Sequence, residues 1–407
     1  MKIIEVETLR PRLQPNLLFV VVHSDDGEAG LGEAFFGART VEAYVHETAA
    51  PILLAMDQPS PEKVAFALRP YAGYQGAGAE TRGNAAIELA LWDLLGKATG
   101  RPLAQLLGGP VRHELRVYNT CAGADYVRQS ARQTSDNWGL RQRDDGPTEW
   151  EDLDAFLHRP AELTRSLQGE GITAMKVWPF DRAAERSAGT DISTAELDSG
   201  LQIIADIREA GGPHLDIMVE LHGLWHRPAA TKIIRQLAQF DPFWVEDPLR
   251  GDAIDAFVHL RRTVDLPIAT GETCVGRRGF LPLLSRGVID VATVDVQWTG
   301  GISEARKVAS VADAYAVPVA PHDCMGPATL AASAHLTASQ PNGLIQETVR
   351  SFIRTWYAEL VTGLPNIEAG VMSVPSTPGH GVLLRDDVRT ELHAERRVTS
   401  SSASLRE

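Results

Sequence analysis

Three short apolar segments that each end in glutamate decide the fold: 216–220 (DIMVE), 243–246 (FWVE) and 267–272 (PIATGE). Apolar runs of this length are typical of buried β-strands. The terminal glutamates follow one another at intervals of 26 residues, which leaves room for one helix between neighbouring strands. This spacing predicts repeated strand–helix units and therefore a parallel sheet.

The strand–helix pattern extends over most of the chain, from residue 115 to residue 347. The apolar runs are 115–120, 172–178, 216–220, 243–246, 267–272, 291–295, 318–322 and 343–347, and helical segments at 201–210, 229–239, 254–263, 302–315 and 329–338 separate the later ones. Eight strands that alternate with helices predict an α/β fold of the (β/α) barrel type. An open doubly wound sheet is the alternative, but no glycine-rich phosphate-binding turn follows its first strand.

Residues 1–114 differ from the rest of the chain and predict a smaller α+β domain. Residues 3–8 and 17–23 have the pattern of strands, whereas 81–99 has the periodicity of a helix. The barrel is then expected to occupy residues 115–370.

Two polar insertions interrupt the barrel pattern, at 125–163 and at 180–197. Long extra segments in a compact domain serve either as functional lids or as flexible decoration. At the end of the chain, residues 399–407 (TSSSASLRE) predict a disordered polar tail.

The composition excludes several classes of function. The formal net charge is −14, and no cluster of lysine and arginine forms the basic face that a nucleic-acid binder normally carries. No signal-peptide pattern opens the chain, and the early apolar run 17–22 is too short to span a bilayer. The three cysteines are far apart and have no metal-type spacing. We therefore predict a cytoplasmic protein with reduced thiols and with neither nucleic-acid nor membrane partners.

Acidic residues and one histidine end the last six predicted strands. They are Glu220, Glu246, Glu272, Asp295, His322 and Glu347. In a barrel these side chains would share the C-terminal face, where the active sites of such folds lie. The three glutamates at 220, 246 and 272 would repel one another without a cation among them, and an all-oxygen ligand set suits Mg²⁺. Any one of these glutamates alone would be interpreted as an ordinary solvated residue at a strand end, but three of them in succession predict a metal site.

Two histidines are candidates for acid–base catalysis. His322 and Asp295 come from neighbouring strands, and an aspartate that orients an imidazole favours its action as a general base. His222 lies two residues after Glu220 and so faces the same side, which makes it a candidate general acid. His226 is left open between a substrate contact and an ordinary surface position.

Lys176 and Trp178 end the second predicted strand, in the sequence MKVWP. Because they are two residues apart, both side chains should face the same way. Lys176 would place a cation beside an anionic intermediate; the alternative is a lysine that extends to the surface.

At these residues the sequence resembles the mandelate racemase/muconate lactonizing enzyme family of the enolase superfamily, closest to the galactonate- and mannonate-type acid-sugar dehydratases. The resemblance covers most of the chain and includes 86–97 (AIELALWDLLGK), 100–103 (GRPL) and 107–109 (LGG). It implies an enolase-type modified TIM barrel, with an N-terminal capping domain at 1–114. It also implies that a C-terminal segment, 371–407, returns to the capping domain.

The resemblance also implies roles for single residues. The family's three metal ligands match Glu220, Glu246 and Glu272, and its His–Asp dyad matches Asp295 and His322. The lysine of its second strand matches Lys176, and the acid of its eighth strand matches Glu347. The acid-x-His pair of the dehydratases matches Glu220 and His222. Three departures stand out. Glu220 replaces the usual aspartate, Trp178 stands where racemases carry a second lysine, and the insertion 125–163 is more like the extra loop of mannonate-type dehydratases.

The function implied by the resemblance is that of a Mg²⁺-dependent lyase. The family's shared step removes a proton α to a carboxylate and gives an enediolate that Mg²⁺ stabilises. His322 would take the C2 proton and His222 would protonate the departing 3-hydroxyl, so that the product is a 2-keto-3-deoxy sugar acid. Glu347, if protonated, could donate to a substrate carboxylate. The capping domain would close the site, with residues 15–16 and 34–37 near the distal end of the substrate.

Three alternatives stay open beside dehydration: racemisation or epimerisation, cycloisomerisation, and a non-catalytic barrel that only binds or serves a structural role. The expected partner is a small sugar acid. Symmetric assembly is common among such barrels, so a homo-oligomer is also expected, with the insertion 125–163 long enough to reach a neighbouring subunit.

Overall fold

The computed structural model describes residues 2–69, 76–129, 134–140 and 151–401. An antiparallel sheet covered by helices forms its N-terminal part. The elements there are β1 (Ile3–Pro11), β2 (Leu17–Ser24), β3 (Ala29–Phe35), α1 (Ala38–Tyr44), α2 (Ala50–Leu54), α3 (Pro61–Ala67), α4 (Ala79–Thr99) and α5 (Leu103–Leu106). Helix α4 lies directly on β3. The approach is so close that a Cβ at Gly32 would stand only 1.9 Å from the carbonyl oxygen of Ala86. Glycine in β3 therefore permits the close packing of this layer.

Strands and helices then alternate along the chain. The elements are β4 (Glu114–Thr120), α6 (Asp152–His158), α7 (Pro160–Gly169), β5 (Ala174–Val177), α8 (Asp181–Ser187), α9 (Thr194–Gly211), β6 (Asp216–Glu220), α10 (Arg227–Leu237), β7 (Trp244–Glu246), α11 (Ile254–Arg261), β8 (Ile268–Thr270), α12 (Gly276–Ser285), β9 (Val291–Ala292), α13 (Ile302–Ala314), α14 (Pro327–Ser339) and β10 (Gln346–Thr348).

The strands of this second part close into a barrel. Strands β4 to β9 pair in chain order, and every pair is parallel. Val319 then bridges Ala292 on one side and Gly343 on the other, and β10 pairs in parallel with β4. The predicted (β/α) barrel with an N-terminal capping domain is thus confirmed.

A layer of side chains fills the barrel interior below the strand ends. Each of the eight strand positions contributes one buried residue: Tyr118, Ala174, Met218, Trp244, Ala269, Val291, Ala320 and Ile345. The large rings of Tyr118 and Trp244 meet edge to face, with centroids 5.6 Å apart. The interior is therefore a packed floor and not a pore, as in other barrels of this size.

The end of the chain returns to both parts of the molecule. Its elements are α15 (Arg350–Phe352), α16 (Ala358–Leu360), β11 (Val361–Thr362), β12 (Ile367–Glu368), β13 (Val371–Ser373), β14 (Leu383–Leu384) and β15 (Ala394–Ser400). Strand β13 pairs with β4, and β15 pairs antiparallel with β1. The predicted start of a disordered tail at residue 399 is wrong, since Thr399 belongs to β15 and accepts or donates a 2.8 Å hydrogen bond with His46. Residues 402–407 of that tail lie outside the described residues.

Buried carboxylates of the N-terminal part hold it on the barrel. Glu33 of β3 accepts hydrogen bonds from the backbone N–H groups of Ala328 and Thr329, in the first turn of α14. Glu88 of α4 accepts from the N–H groups that begin α13. Neither of these two helices has a side-chain cap of its own. The carboxylates thus satisfy free N–H groups and interact favourably with the positive ends of the helix dipoles.

Several predicted element boundaries differ from the structure. Strands β8 and β9 end at Thr270 and Ala292, so the acidic residues predicted at their ends lie in the loops beyond them. The predicted strand 318–322 is reduced to the single bridge at Val319. The reason for the first difference is local, because Gly271 has a φ of 133°, outside the range of a strand.

The polar segment 180–197 is not an extended insertion, because α8 and the start of α9 lie within it. Of the other insertion, 125–163, residues 130–133 and 141–150 lie outside the described residues. None of the described helices combines the length and the apolar character that crossing a membrane requires. The three cysteines are unpaired, as predicted.

Candidate active site

A cavity of about 510 Å³ opens at the C-terminal ends of the barrel strands. Barrel residues form its floor, and Phe36, Gly37 and Arg82 of the N-terminal part contribute to its wall. Thr134, Ser135 and other residues of the insertion also line it. Since two separate segments cover the strand ends, the cavity is shaped for a small molecule.

The three predicted metal ligands converge at this cavity. Glu220, Glu246 and Glu272 each offer an oxygen, and these oxygens lie within 4.8 Å of one another. Oε1 of Glu220 accepts from the backbone N–H groups of Leu221 and His222, whereas its buried Oε2 has no hydrogen-bond partner among the described residues. Three carboxylates at this separation repel one another, so the donor set fits a hard divalent cation such as Mg²⁺.

Lys176 lies among the carboxylates below the cavity. Its Nζ is 2.9 Å from Glu347, 3.1 Å from Glu246 and 3.7 Å from Glu220. Burial disfavours the charge of Lys176, but Glu246 and Glu347 outweigh burial and hold the pKa of Lys176 well above its ordinary value. Lys176 is therefore a buried cation, and the alternative of a lysine that extends to the surface is wrong.

Glu347 has contacts that differ from its predicted role as a donor. Thr120 donates its hydroxyl and Asp323 its backbone N–H to the two carboxylate oxygens. Burial raises the pKa of Glu347, but Lys176 and His322 outweigh burial and lower it to about 2. Both carboxylate oxygens already accept hydrogen bonds, which favours the ionised form, and donation to a substrate stays a prediction.

His322 and Asp295 form the predicted pair. Nδ1 of His322 lies 2.8 Å from Oδ2 of Asp295, and Nε2 lies 3.0 Å from Oε2 of Glu272. Asp295 is held in turn, because its Oδ1 accepts from the backbone N–H groups of Gln297 and Trp298. Burial lowers the pKa of His322, but the nearby carboxylates outweigh burial and raise it well above its usual value. The imidazole is therefore oriented with Nε2 on the side of the carboxylate cluster.

His222 has its own carboxylate partner, which the sequence interpretation missed. Its Nδ1 lies 2.7 Å from Oδ2 of Asp181, the first residue of α8. Burial lowers the pKa of His222, but Asp181 and Glu220 outweigh burial and raise it to about 10. His222 also has a φ of 49°, an uncommon conformation that is frequent at functional sites. A signal for Asp181 existed, since it follows β5 by four residues and so lies near the strand ends.

Aromatic side chains surround His222 on the same wall. Trp178 is buried and packs against Tyr126, Phe156 and His222, at centroid distances of 5.4, 5.1 and 5.7 Å. Trp178 and Lys176 both line the cavity, so the two side chains face the same way as predicted, but an indole supplies no base. His226 is exposed at the start of α10 and is not among the cavity residues.

The predicted capping residues contact the cavity only in part. Phe36 and Gly37 line it. Asn16 lies behind them and accepts the N–H of Gly37 on its side-chain oxygen at 2.9 Å. Its side-chain N–H donates to the carbonyl of Val127, which ties this loop to the insertion. Asn16 therefore supports the wall, and Phe36 and Gly37 form it.

A buried glutamine links the N-terminal part to the His–Asp pair. Oε1 of Gln297 accepts the N–H of Phe35 at 2.7 Å, and Nε2 donates to the hydroxyl of Thr329 at 2.6 Å. Its own N–H donates to Asp295 at 2.6 Å. Gln297 was not predicted from the sequence, because its partners are remote in the chain and no motif includes it.

This geometry is typical of enolase-superfamily enzymes, in which a capping domain covers carboxylates and a histidine–aspartate pair on a barrel. Two family models match the chain: "Mandelate racemase / muconate lactonizing enzyme, N-terminal domain" over residues 8–108 and "Enolase C-terminal domain-like" over residues 159–388. The chain belongs to the mandelate racemase/muconate lactonizing enzyme family of the enolase superfamily and is an enzyme of that family.

Known relatives agree with this assignment. A D-galactonate dehydratase of Ralstonia pickettii is 31% identical over 394 residues, which cover 94% of this chain and 92% of the relative. A D-galactonate dehydratase of Pectobacterium atrosepticum is 29% identical over 398 residues, which cover 96% of this chain and 94% of the relative. Among solved structures, an enolase of the mandelate racemase subgroup from Agrobacterium tumefaciens is 42% identical, covers 99% and 100% of the two chains and has a TM-score of 0.86. The resemblance predicted from the sequence is thereby confirmed.

Proposed function

We propose that this chain is a Mg²⁺-dependent acid-sugar dehydratase, which removes the proton at C2 and eliminates the 3-hydroxyl. One observation carries the proposal: two histidines, each oriented by its own carboxylate, line one cavity beside a cluster of three glutamates. Elimination of water needs a base at one carbon and an acid at the next, and the two pairs supply both. The names of the relatives support the same reaction class.

Glu220, Glu246 and Glu272 would hold the metal ion. When bound, a divalent cation there supplies positive charge that favours the build-up of negative charge on a substrate carboxylate. Lys176 adds a fixed cation below the same place, at 2.9–3.7 Å from three carboxylates. Charges placed in advance of the reaction are the largest stabilising contribution in many enzymes.

His322 takes the C2 proton on Nε2 in its neutral form. A divalent cation held by the three glutamates would favour that form, because burial lowers the pKa of His322 and the cation would offset the carboxylate charges that raise it. Asp295 binds Nδ1, which leaves Nε2 as the nitrogen that faces the cavity floor. The C2–H bond breaks, its electron pair moves into the carboxylate system, and an enediolate forms. The Asp295 contact keeps the imidazole in the correct orientation for this transfer.

His222 then donates a proton to the departing 3-hydroxyl. Asp181 binds its Nδ1, so Nε2 is the nitrogen available to the substrate. The C3–O bond breaks, water leaves, and the enol that results takes up a proton at C3 to give the 2-keto-3-deoxy acid. One water molecule is lost, and no oxidant or reductant takes part.

Racemisation or epimerisation is supported less well than elimination. A second base would be needed on the opposite face of C2, and Trp178 supplies none. His222 packs against Trp178, but although burial lowers its pKa, Asp181 and Glu220 raise it to about 10, which suits an acid and not a base. Lys176 is fully engaged with Glu220, Glu246 and Glu347. Cycloisomerisation needs no second base, so the products must be identified directly.

The test is a screen of aldonic and aldaric acids with Mg²⁺, in which 2-keto acids are measured as semicarbazones and products are assigned by NMR. A 2-keto-3-deoxy product from at least one acid is expected. An inverted C2 epimer or a rearranged lactone as the only product would instead assign epimerisation or cycloisomerisation. If no acid in either series is converted, the dehydratase assignment is wrong.

Assembly into a homo-oligomer remains a prediction. Size-exclusion chromatography with light scattering measures the particle mass directly. A mass equal to that of the single chain at working concentration would contradict it.

A further inference from the structure

One cationic side chain of the cavity is not used by the reaction as derived above. Arg82 lies in the first turn of α4 and reaches the cavity beside Phe36 and Gly37. Its Cζ stands 4.5 Å from the centroid of Trp298, which also lines the cavity. The guanidinium therefore rests on an aromatic face, which holds its plane in place.

Arg82 has no counterion among the described residues. No ion pair with a carboxylate is formed by Arg82 in the part of the chain that the structure describes, and its buried Nε has no hydrogen-bond partner there. Nη1 makes one long contact, 3.4 Å to the carbonyl of Ala77. Burial lowers the pKa of Arg82, while Glu80 and Asp295 oppose this effect from a greater distance.

Arg350, a buried arginine near the strand ends, shows the usual arrangement of such a side chain. Arg350 binds Asp152 through two nitrogens at 2.7 and 2.8 Å, and a third nitrogen lies 2.8 Å from Glu170. Partly buried charges are normally paired in this way, because desolvation without a partner is costly. Among the described residues, Arg82 thus lacks the carboxylate partner that Arg350 has, and an anion in the cavity would supply one.

The opposite wall has the opposite charge. Asp181 and Glu185 of α8 both line the cavity there. Asp181 binds His222, and Glu185 accepts from the N–H and hydroxyl of Ser135 at 2.6 and 2.5 Å. Because Asp181 is paired with His222, the negative charge of this wall comes from Glu185, and an anionic end of a substrate would be attracted to Arg82 instead.

We propose that Arg82 binds a second carboxylate, and that the substrate is therefore a sugar diacid (an aldarate) and not a monocarboxylic aldonate. The inference rests on the proposed function, because the first carboxylate is placed at the glutamate cluster. A guanidinium matches a carboxylate with two parallel hydrogen bonds, which makes arginine suited to this task. The cavity volume of about 510 Å³ is ample for a six-carbon diacid. The reaction is unchanged: one water leaves from C2 and C3, and the product is a 2-keto-3-deoxy diacid.

The experiment compares aldarates with aldonates of the same configuration in the Mg²⁺-loaded enzyme. The ratio of kcat/KM for diacid over monoacid should be about 100 in the wild type and should fall close to 1 in Arg82→Gln. Arg82→Lys keeps the positive charge but loses the two parallel N–H donors of the guanidinium, so a diacid-to-monoacid ratio between those of the wild type and Arg82→Gln is expected. Arg39→Gln, an exposed arginine of the same domain, is the matched control and should keep the wild-type ratio.

Three outcomes would overturn the inference or separate it from the proposed function. If monoacids are dehydrated as well as diacids, Arg82 does not select a second carboxylate, although the dehydratase assignment stands. If an aldonate 6-phosphate is preferred over the aldarate, the second anion is a phosphate group and the carboxylate assignment is wrong. If no acid is turned over, calorimetry can still compare how tightly the enzyme binds an aldarate and an aldonate. The inference is contradicted if the wild type binds both with equal affinity, or if Arg82→Gln weakens the binding of both by the same factor.

Discussion

Nδ1 of His222 lies 2.7 Å from Oδ2 of Asp181, a residue 41 positions earlier in the chain. The same relationship recurs between His322 and Asp295, at 2.8 Å and 27 positions apart. The cavity therefore contains two histidine–carboxylate pairs with different surroundings. His322 adjoins the glutamate cluster, whereas His222 packs against Trp178. Each pair orients one imidazole, so their tasks can be separated by mutation.

Replacement of the two histidines should have different effects. His322→Asn should lower kcat about 1,000-fold and also abolish exchange of the C2 proton in D₂O, because the base is lost. His222→Asn should block elimination but still permit C2 exchange, since the enediolate can form and return. NMR of each variant with a confirmed substrate in D₂O measures both. Exchange that persists in His322→Asn would show that the roles are assigned wrongly.

Asp181→Asn should lower kcat about 100-fold, because an amide neither orients His222 in the same tautomer nor stabilises its protonated form. C2 exchange should continue in this variant at a rate close to that of the wild type. Asp191→Asn, an exposed residue in the segment after α8, serves as the control. Equal loss of exchange and elimination would contradict a role for Asp181 through His222.

Removal of divalent metal should abolish activity, and Mg²⁺ or Mn²⁺ should restore it. Glu246→Gln should weaken Mg²⁺ binding at least about tenfold. In a thermal unfolding assay Mg²⁺ should raise the midpoint of the wild type, since saturation at 100 times Kd contributes about 2.7 kcal/mol. Glu304→Gln, which lies away from the glutamate cluster, should show the same rise in the unfolding midpoint with Mg²⁺ as the wild type. Full turnover after exhaustive chelation would exclude the predicted site.

Gln297→Leu should lower kcat roughly 10- to 100-fold with a smaller change in KM, because Gln297 links Phe35, Thr329 and the Asp295 loop without lining the cavity. It should also lower the free energy of unfolding by about 1–3 kcal/mol, since the N–H of Phe35 loses its partner. Gln297→Glu retains that acceptor and should recover part of the stability. A variant with reduced stability but normal kcat would leave Gln297 with a structural role only.

Stability in acid should depend on Glu7 of β1. Burial raises the pKa of Glu7, but hydrogen bonds from His23 and Arg396 and the charge of Arg389 lower it to about 2. A folded pKa below the ordinary value of 4.5 contributes stability above pH 4.5, and this contribution is lost as the pH falls towards 2. Between pH 5 and 3 the wild type should therefore lose more unfolding free energy than Glu7→Gln. Urea titrations at each pH measure the free energy of unfolding of both proteins, with Glu5→Gln as the control. If the free energy falls with pH in parallel for the wild type and Glu7→Gln, Glu7 does not cause the acid sensitivity.

Much of the barrel followed from local sequence patterns. The runs that end at Glu220 and Glu246 became β6 and β7 with nearly the predicted bounds, because a buried parallel strand is apolar on both faces. The nearly regular interval between strand ends also placed Asp295 and His322 at the same face as the glutamates, and Lys176 was placed by its position at the end of the second predicted strand. Short strands were predicted less well, since glycine and the loop hydrogen bonds of Asp295 end them early.

The sequence by itself determined the fold class, the glutamate cluster and the His322–Asp295 pair, because these depend on residue type and on a regular interval along the chain. Only the tertiary structure decided the partner of His222, the link through Gln297 and the position of the Arg82 guanidinium, which has no carboxylate partner among the described residues. Asp181 lies in a segment predicted to be a polar excursion, and Arg82 lies in a different domain from the residues it faces. Such contacts join positions without fixed spacing, so they arise from how loops, helices and domains pack in space and not from any local pattern. The physical reason is that a side chain's charge and hydrogen bonds depend on its neighbours in space, which the chain order alone does not specify.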